Sequence, residues 1–401
     1  GKTNIIGKSC SFNQQINSIT PFSGLFPEFI QLGLRSPYFQ KLAWNNSSST
    51  TLAILNKGRW DKIPIPIPPL IEQKRIVEKV DSLMALCDSL EKQQQEKAEK
   101  KLLLNRSSLN AFSASATQQD FNKNWNHIEK NFDLLYSTPK NIDDLKQTIL
   151  QLAVMGKLVP QDPNDLPASV LLEKIQAEKE RLIEEGKIKK QKPLEPIKES
   201  EIPFEVPKGW EWCRLDILTN LVEYGTSSKC FLNGDIPVFA MGHIKNGRLI
   251  ENKFKYLPLN NKDLPRLYLK KHDLLFNRTN SWELVGKTAL FDGENKKYSF
   301  ASYLIRLQFI KVNAEYINFV LNSKFFRVTQ VEPQIVKQCG QANFNGTKLK
   351  NTFIPLPPLI EQKRIVAKVD SLMALCDQLK ENLINKGMSS KNLLNAVIRQ
   401  L

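Results

Sequence analysis

The sequence predicts an α+β protein in which two basic domains, the first of them partial, are joined by two long helices. Three observations support this prediction. A long segment occurs twice, each copy carries an apolar seam with helical spacing, and short strand-like runs fill the region before the second copy.

The repeat is nearly perfect. Residues 69–90 read PLIEQKRIVEKVDSLMALCDSL and residues 358–379 read PLIEQKRIVAKVDSLMALCDQL, so 20 of 22 positions are identical at an offset of 289. This separation is far too long for a solenoid repeat. It indicates two equivalent structural units in one chain, and therefore a ligand with two halves.

Each copy is predicted to be a helix that follows a proline-rich extended segment. Apolar residues recur at alternating spacings of four and three, which is typical of helix-on-helix packing. The seam comprises Ile76, Val80, Leu83, Cys87 and Leu90 in the first copy and Ile365, Val369, Leu372, Cys376 and Leu379 in the second. Helices of ~40 residues would be ~60 Å long. We predict that they pair as a coiled-coil spacer; the alternative is that each packs on its own neighbouring domain.

The segment between the copies begins with helices and ends with strands. Residues 113–140 are polar and predicted to be loop-rich, whereas 141–159 and 168–186 are amphipathic helices that end at Gly156 and Gly186. A linker rich in Lys and Pro follows. Strands are then predicted at 236–241, 266–271, 273–279, 287–291 and 300–310, with a helix near 314–330.

Residues 1–69 match only the second half of this strand-rich domain. Phe12–Ile19 aligns with Phe300–Leu307 at an offset of 288, and both regions then lead into the repeat. The predicted organisation is a partial domain at 1–69, a first spacer helix and loop at 70–137, a helical segment and linker at 138–201, a complete domain at 202–354 and a second spacer helix at 355–401.

The net charge of +16 is concentrated before each repeat copy. Residues 202–353 carry 22 Lys and Arg against 13 Asp and Glu, and residues 1–69 carry 7 against 2. The rest of the chain carries 28 against 26. A polyanionic partner that contacts the two basic domains is therefore predicted.

Several classes of protein are not supported by the sequence. No apolar run approaches the ~20 residues of a membrane helix, and no signal segment opens the chain, so a cytoplasmic location with no membrane partner is expected. The six cysteines form no C-x-x-C pair and the three histidines lack metal-ligand spacing. No catalytic residue and no metal site are predicted. Two alternatives stay open: a metal-dependent restriction endonuclease that uses Glu294 and Lys296, and a coiled-coil adaptor that does not bind DNA.

The motifs together resemble the specificity subunits of type I restriction–modification enzymes. The resemblance covers nearly the whole chain and rests on residues 355–377 of the second repeat copy, 207–212 (PKGWEW), 242–249 (GHIKNGRL), 274–291 (LLFNRTNSWELVGKTALF) and 149–165 (ILQLAVMGKLVPQDPND).

This resemblance implies two target-recognition domains separated by two antiparallel helices, each domain reading one half of a split sequence in double-stranded DNA. The first domain is truncated at its start relative to the family. Two modification (methyltransferase) subunits and the restriction (translocase and nuclease) subunits are the implied partners. S-adenosylmethionine, ATP and Mg are expected on those partners and no cofactor on this chain. The hydrophobic faces of the repeat helices and the helices of 141–186 are the expected docking surfaces.

Polar side chains in loops beside strands are the candidates for base contacts, because arginine reads guanine and amides read adenine. In the complete domain they are Lys229, His243, Lys245, Arg248, Arg278, Asn280, Trp282, Gln341, Asn343, Asn345 and Lys348. In the partial domain they are Lys8, Gln14, Gln15, Lys57 and Arg59. For each of them an ordinary surface or turn role is the alternative. Arg306 lies inside a predicted strand and is expected to be structural.

Overall fold

The computed structural model describes residues 2–13, 15–49, 53–115, 117–189, 194–338 and 340–398. The chain forms two compact units, Gly1–Lys101 and Leu102–Leu401. Gln14, one of the candidate residues, lies outside the described residues.

The first unit is a small helical cluster followed by the first repeat helix. Its elements are α1 (Pro27–Arg35), α2 (Pro37–Asn45), β1 (Ser48–Ser49), β2 (Ala53–Ile54), α3 (Lys57–Trp60) and α4 (Leu70–Ser113), the last of which continues into the second unit. A small core of α1 and α2 side chains packs against Ile63, Ile76 and Val77. The repeat helix is therefore anchored to the first unit through its first two turns.

The second unit begins with helices that pack around the end of α4. They are α5 (Gln118–Lys130), α6 (Phe132–Leu135), α7 (Pro139–Val154) and α8 (Ala168–Glu184). The expectation of a loop-rich segment at 113–140 is wrong. Thr117 caps α5, and Phe121 packs on Phe112 with ring centroids 4.6 Å apart.

The strand-rich part of the second unit follows the linker. Its first half contains β3 (Glu211–Arg214), α9 (Leu215–Leu218), β4 (Thr219–Tyr224), β5 (Ile236–Phe239), β6 (Ile244–Lys245), β7 (Arg248–Leu249), β8 (Lys255–Leu257) and α10 (Leu264–Leu267). Its second half contains β9 (Leu274–Asn277), β10 (Thr279–Asn280), β11 (Thr288–Leu290), β12 (Ser299–Phe300), β13 (Leu304–Phe309), α11 (Ala314–Asn322), α12 (Lys324–Phe326), β14 (Val336–Gln338), β15 (Gln341–Asn343), α13 (Gly346–Lys350) and β16 (Phe353–Leu356), before α14 (Leu359–Ile398).

The main sheet has six strands in the order β4-β13-β9-β11-β7-β6. A three-stranded sheet, β10-β15-β14, continues directly from the end of β9, and a second one has the order β12-β5-β8. A mixed α+β domain is therefore confirmed. Residues 266–271 are not a strand: Pro265 starts the short helix α10, and Leu267 and Leu269 are buried without ladder partners.

The second repeat helix, α14, is packed within the second unit. Ile365, Val369 and Cys376 are buried, and Leu372 and Leu379 pack against the same core. Helix α7 lies along α14, and Lys380 of α14 pairs with Asp143 of α7 at 2.6 Å. The seam of this copy is thus covered by the neighbouring domain.

The seam of the first copy is less covered. Ile76 and Val80 are half-buried, whereas Leu83, Cys87 and Leu90 are exposed, with 48% of Leu83 and 49% of Leu90 accessible. The coiled coil between the two repeat helices therefore stays a prediction. An exposed apolar seam of this kind is what a helical partner would cover.

The two repeat copies make the same buried hydrogen bonds. In the first unit the Oε1 atom of Gln73 accepts from the backbone N–H of Phe26 (2.8 Å) and its Nε2 atom donates to the carbonyl of Pro68 (2.8 Å). In the second unit Gln362 accepts from the N–H of Asn313 (2.9 Å) and donates to Pro357 (2.9 Å). Phe26 and Asn313 are the residues that precede α1 and α11, so each repeat helix is tied to the equivalent helix of its own unit.

The helices tied in this way are also equivalent. Ser36 separates α1 from α2 and Ser323 separates α11 from α12; each serine hydroxyl accepts from the N–H three residues later at 3.2 Å. The predicted helix near 314–330 is broken at this serine. By contrast, none of the described residues of Phe12–Ile19 lies in a strand, whereas Leu304–Leu307 of its counterpart belong to β13. Strand β13 lies between β4 and β9, and the described part of 1–69 contains no equivalent of either.

Arg306 is structural, as expected. Its guanidinium is buried on β13, where it pairs with Asp273 at 3.3 Å and with Glu223 and donates to the carbonyl of Tyr268 at 2.7 Å. Burial raises the pKa of Asp273, while the arginine favours its charged form. This network fixes β4, β9 and β13 relative to each other.

The glutamate of the repeat motif has different surroundings in the two copies. In the second unit the carboxylate of Glu361 is buried and accepts hydrogen bonds from Trp210 Nε1 (3.0 Å) and Gln161 Nε2 (3.2 Å). Its equivalent Glu72 is exposed. Burial raises the pKa of Glu361 above its ordinary value of 4.5, and the two hydrogen bonds oppose that change.

Replacing Gln362 with Leu should destabilise the second unit by about 1–3 kcal/mol, because the N–H of Asn313 and the carbonyl of Pro357 lose their buried partners. Gln378→Leu, at an exposed position of the same helix, is the control and should change stability little. Calorimetric unfolding of both variants measures the difference; equal midpoints would contradict the proposed role of Gln362.

A second prediction concerns pH. Because the folded protein binds the Glu361 proton more tightly than the unfolded chain, the contribution of this group to stability is full below pH 4.5 and is lost as the pH rises through the raised pKa. The unfolding midpoint of the wild type should therefore fall relative to that of Glu361→Gln as the pH rises above 4.5. A difference between the wild type and Glu361→Gln that did not change with pH would contradict this prediction.

Candidate nucleic-acid interface

The structure brings several predicted residues together on one small sheet. Strand β10 pairs antiparallel with β15, so that Thr279 lies opposite Asn343 and Asn280 opposite Ala342. The Thr279 hydroxyl donates to Asn343 Oδ1 at 2.7 Å. We call residues 278–280 and 341–345 the polar strip. It contains Arg278, Asn280, Gln341, Asn343 and Asn345.

Arg278 is held in the polar strip by stacking. Its guanidinium lies over the Tyr224 ring, 4.8 Å from the centroid, and Nη1 donates weakly to the carbonyl of Ser302 at 3.4 Å. Among the described residues no carboxylate pairs with it, and its Nε atom is buried without a hydrogen-bond partner. The Tyr224 hydroxyl accepts from the N–H of Gly346 at 2.8 Å. The arginine is thus oriented without being neutralised.

Tyr224 was not among the residues that the sequence indicated. It ends strand β4 and is followed by Gly225, where a Cβ atom would lie 2.4 Å from the carbonyl oxygens of Phe300 and Ala301. The sequence feature that could have indicated Tyr224 is an aromatic residue directly before a glycine at the end of a strand. The close approach fixes the backbone at the point from which the Tyr224 ring reaches Arg278.

Trp282 belongs to a loop that Arg327 braces. The Arg327 guanidinium lies 5.4 Å from the Trp282 ring centroid, donates to the carbonyls of Trp282 and Val285, and pairs with Glu332 at 2.9 Å. Arg327 starts a π-helical turn, Arg327–Val331, and such turns are frequent at functional sites. The indole ring is half-buried, so the loop is preorganised beside the polar strip.

The hairpin of β6 and β7 carries Lys245 and Arg248. Its turn uses Asn246 and Gly247 with φ of 51° and 76°, the left-handed conformations of a tight hairpin. Strand β9, which leads into the polar strip, is two strands from β7 and three strands from β6 in the six-stranded sheet, a lateral separation of about 10–14 Å. The structure therefore does not bring these two basic residues into the polar strip.

Three candidates of the complete domain make structural hydrogen bonds. His243 is buried, its Nδ1 atom accepts from the N–H of Ala240 (2.9 Å) and its Nε2 atom lies 2.8 Å from the carbonyl of Asn252, so neither ring nitrogen is available to a base. Lys348 donates through Nζ to the carbonyl of Gln334 at 2.6 Å. Asn345 is exposed, but its Oδ1 atom caps α13 by accepting from the N–H of Lys348. Burial and capping, which residue type does not reveal, explain these differences.

Lys229 lies in an exposed loop after β4. Its ammonium group is 5.8 Å from the centroid of the Phe231 ring, which is itself half exposed. The hydroxyls of Thr226 and Ser228 donate to Asp263 Oδ2 at 2.8 and 3.1 Å, and the Thr226 hydrogen bond lowers the pKa of Asp263. The base of the loop is therefore fixed while its cationic tip is accessible.

The candidates of the first unit are exposed and less organised. Lys8 lies at a bend and Gln15 in a turn, and Lys57 and Arg59 lie on the single-turn helix α3. Asn56 caps this turn by accepting from the N–H of Arg59, and Arg59 Nη1 donates to the carbonyl of Asn46 at 3.3 Å. These residues do not form a cluster comparable with the polar strip.

The two residues of the nuclease alternative do not form a metal site with other described side chains. Glu294 and Lys296 are exposed in a turn, and Glu294 pairs with Lys297 at 2.6 Å. Within the described ranges no three His, Cys, Asp or Glu side chains gather as metal ligands. None of the described helices combines the length and apolar character that a bilayer crossing requires.

Comparison with known proteins gives consistent matches. The family described as "Type I restriction modification DNA specificity domain" matches residues 1–100 and 207–386. Two curated relatives from Escherichia coli are the EcoEI and EcoAI type I restriction enzyme specificity subunits. Each is 35% identical, over 92% and 91% of this chain and 64% and 63% of the relative respectively. The chain thus spans slightly less than two thirds of their length.

A solved structure supports the fold. A chain from the work described as "Structural basis underlying complex assembly and conformational transition of the type I R-M system" aligns with a TM-score of 0.52 at 19% identity, covering 93% of this chain and 70% of that one. Because the family matches at both basic domains and both repeat copies, this chain belongs to the type I restriction–modification DNA specificity family.

Proposed function

We propose that this chain reads a split sequence in double-stranded DNA as a specificity subunit of a type I restriction–modification complex, and that it performs no catalysis itself. The observation that carries the proposal is in the polar strip: Arg278 is stacked on Tyr224, is paired with no carboxylate among the described residues, and lies two residues before the amide of Asn280, on the same face of the strand. This strip lies in a segment, 202–353, with nine more basic than acidic residues.

The residue types of the polar strip suit the major groove. An arginine fork can bond the O6 and N7 atoms of guanine, and asparagine or glutamine can bond the N6 and N7 atoms of adenine. Arg278 and Asn280 provide both kinds of reader on one face of the strand, while Gln341 and Asn343 share the other face with Thr279. Stacking on Tyr224 supports this assignment because it orients the guanidinium plane before DNA binds.

The other basic residues fit a backbone-binding role. Lys245 and Arg248 lie on β6 and β7, which β11 separates from β9, the strand that leads into the polar strip, so they do not belong to the same group of side chains. We assign them, with Lys229, to phosphates. Such contacts fix the register of a protein on DNA and make its affinity fall with salt.

The duplicated attachment supports recognition in two halves. Gln73 and Gln362 tie each repeat helix to its own unit by the same hydrogen bonds, so both units meet their spacer helix in the same way. Helices of ~60 Å could hold two readers about one DNA turn, ~34 Å, apart on one face of the duplex. The pairing of these helices is part of the proposal.

The proposed complex is cytoplasmic and divides its chemistry among subunits. Two modification subunits would methylate adenine with S-adenosylmethionine, one for each pseudo-equivalent half, and restriction subunits would use ATP and Mg. The names of the curated relatives and the duplicated helices support this assembly.

The sharpest test is Arg278→Lys, which keeps the charge and removes the planar fork. Discrimination between the natural target and a target changed at one guanine should fall by about 1–3 kcal/mol, or about 5- to 150-fold. The dependence of affinity on salt should stay the same, because the number of cations is unchanged. Mobility-shift titrations of the chain with its modification subunit measure both quantities.

Lys297→Ala is the matched surface control, since Lys297 is exposed and pairs with Glu294 at 2.6 Å, its one carboxylate partner in the described part of the chain. It should leave discrimination unchanged. If Arg278→Lys weakened the binding of all sequences equally, Arg278 would be a backbone contact and the proposed reading role of the polar strip would be wrong.

A further inference from the structure

A cleft of about 920 Å³ opens in the second unit, away from the polar strip. Four segments line it: the start of α8, the turn before β9, the junction of β13 with α11, and the start of α14. We call it the basic cleft. It lies where the repeat helix enters the domain, so any partner seated there would contact both the spacer and the reader.

The charge of the basic cleft is strongly positive. Lys174, Lys270, Lys271, Lys311 and Lys363 line it. Two of these lysines have carboxylate partners, Lys271 with Asp292 at 3.0 Å and Lys311 with Glu178 at 3.8 Å. The other three have none among the described residues. Two acidic residues also line the cleft. Asp273 is already paired with Arg306, so Glu315 is the lining carboxylate that could offset the charge of the lysines. The cleft therefore favours an anionic occupant.

Exposed apolar side chains distinguish this cleft from a phosphate site. Leu166 and Ile360 are 61% and 58% exposed at its rim. The half-buried side chains of Val170, Phe309 and Val312 form an apolar part of the cleft wall. A DNA backbone presents no apolar side chain that could cover them. A protein segment can, because apolar anchors inside a charged rim are the usual composition of a protein interface.

The same exposed residue recurs in the other repeat copy. Ile71, the equivalent of Ile360, is 68% exposed, and Lys74 is the equivalent of Lys363. In both copies the buried hydrogen bonds of the following glutamine, Gln73 or Gln362, fix the first helical turn and leave the isoleucine outside. An apolar side chain that stays exposed in both copies suits a partner that binds each half.

We propose that the basic cleft docks an acidic segment with apolar anchor residues from a modification subunit. This inference rests on the proposed function, because it assumes assembly with that subunit. The anchor would cover Ile360 and Leu166, and its carboxylates would meet Lys174, Lys270 and Lys363.

The test measures the affinity of the full chain for the purified modification subunit of the same system by calorimetry. Ile360→Glu and Lys363→Glu should each weaken binding at least tenfold, and Lys363→Glu should also reduce the dependence of binding on salt. Leu259→Glu, at an exposed apolar position outside both the cleft and the repeat helices, is the matched control and should stay within twofold of the wild type. Both cleft residues are exposed, and thermal unfolding checks that the variants fold.

DNA affinity of each variant without the modification subunit separates the outcomes. If the cleft variants bound the modification subunit normally, the docking proposal would be wrong, whether or not the chain read DNA. If they lost DNA affinity instead, the cleft would be a backbone-binding site. Loss of subunit binding with intact DNA binding supports the proposal, and it does not depend on which residues read bases.

Discussion

The architecture depends on a buried glutamine near the start of each repeat helix. Gln73 and Gln362 each join three parts of the chain: the proline segment that enters the helix, the helix itself, and the residue that precedes a neighbouring helix. A buried amide satisfies a buried N–H and a buried carbonyl at once, and neither group has water to replace it. Each repeat helix is therefore attached to its own unit by the same hydrogen bonds.

The second unit uses arginine in two opposite ways. Arg306 is neutralised in the interior by Asp273 and Glu223, where it holds the strands together. Arg278 is stacked at the surface on Tyr224 and has no carboxylate partner among the described residues. The first arrangement gives a rigid platform, and the second leaves a charged fork that is held in place without a carboxylate partner among the described residues. Rigid support under an unneutralised polar strip is the arrangement that sequence reading requires.

The sequence predicted features that depend on local chemistry. Proline before the repeat and glycine at 156 and 186 placed the helix ends, because backbone conformation at these residues is decided locally. It also indicated most of the polar strip by residue type. It did not predict that Asn280 and Ala342 lie on paired strands, that Tyr224 supports Arg278, or that His243 is buried. These facts depend on contacts between residues far apart in the chain, and burial is decided by what packs there.

The most direct measurement is the map of adenines methylated by a complex that contains this chain, compared with a complex whose chain carries Asn280→Ala and Asn343→Ala. The account predicts that one half of the methylated sequence changes or becomes degenerate while the other half and the gap between them stay the same. An identical methylated sequence with both chains, or a change in both halves together, would contradict the claim that the polar strip of the second unit reads one half of a split target.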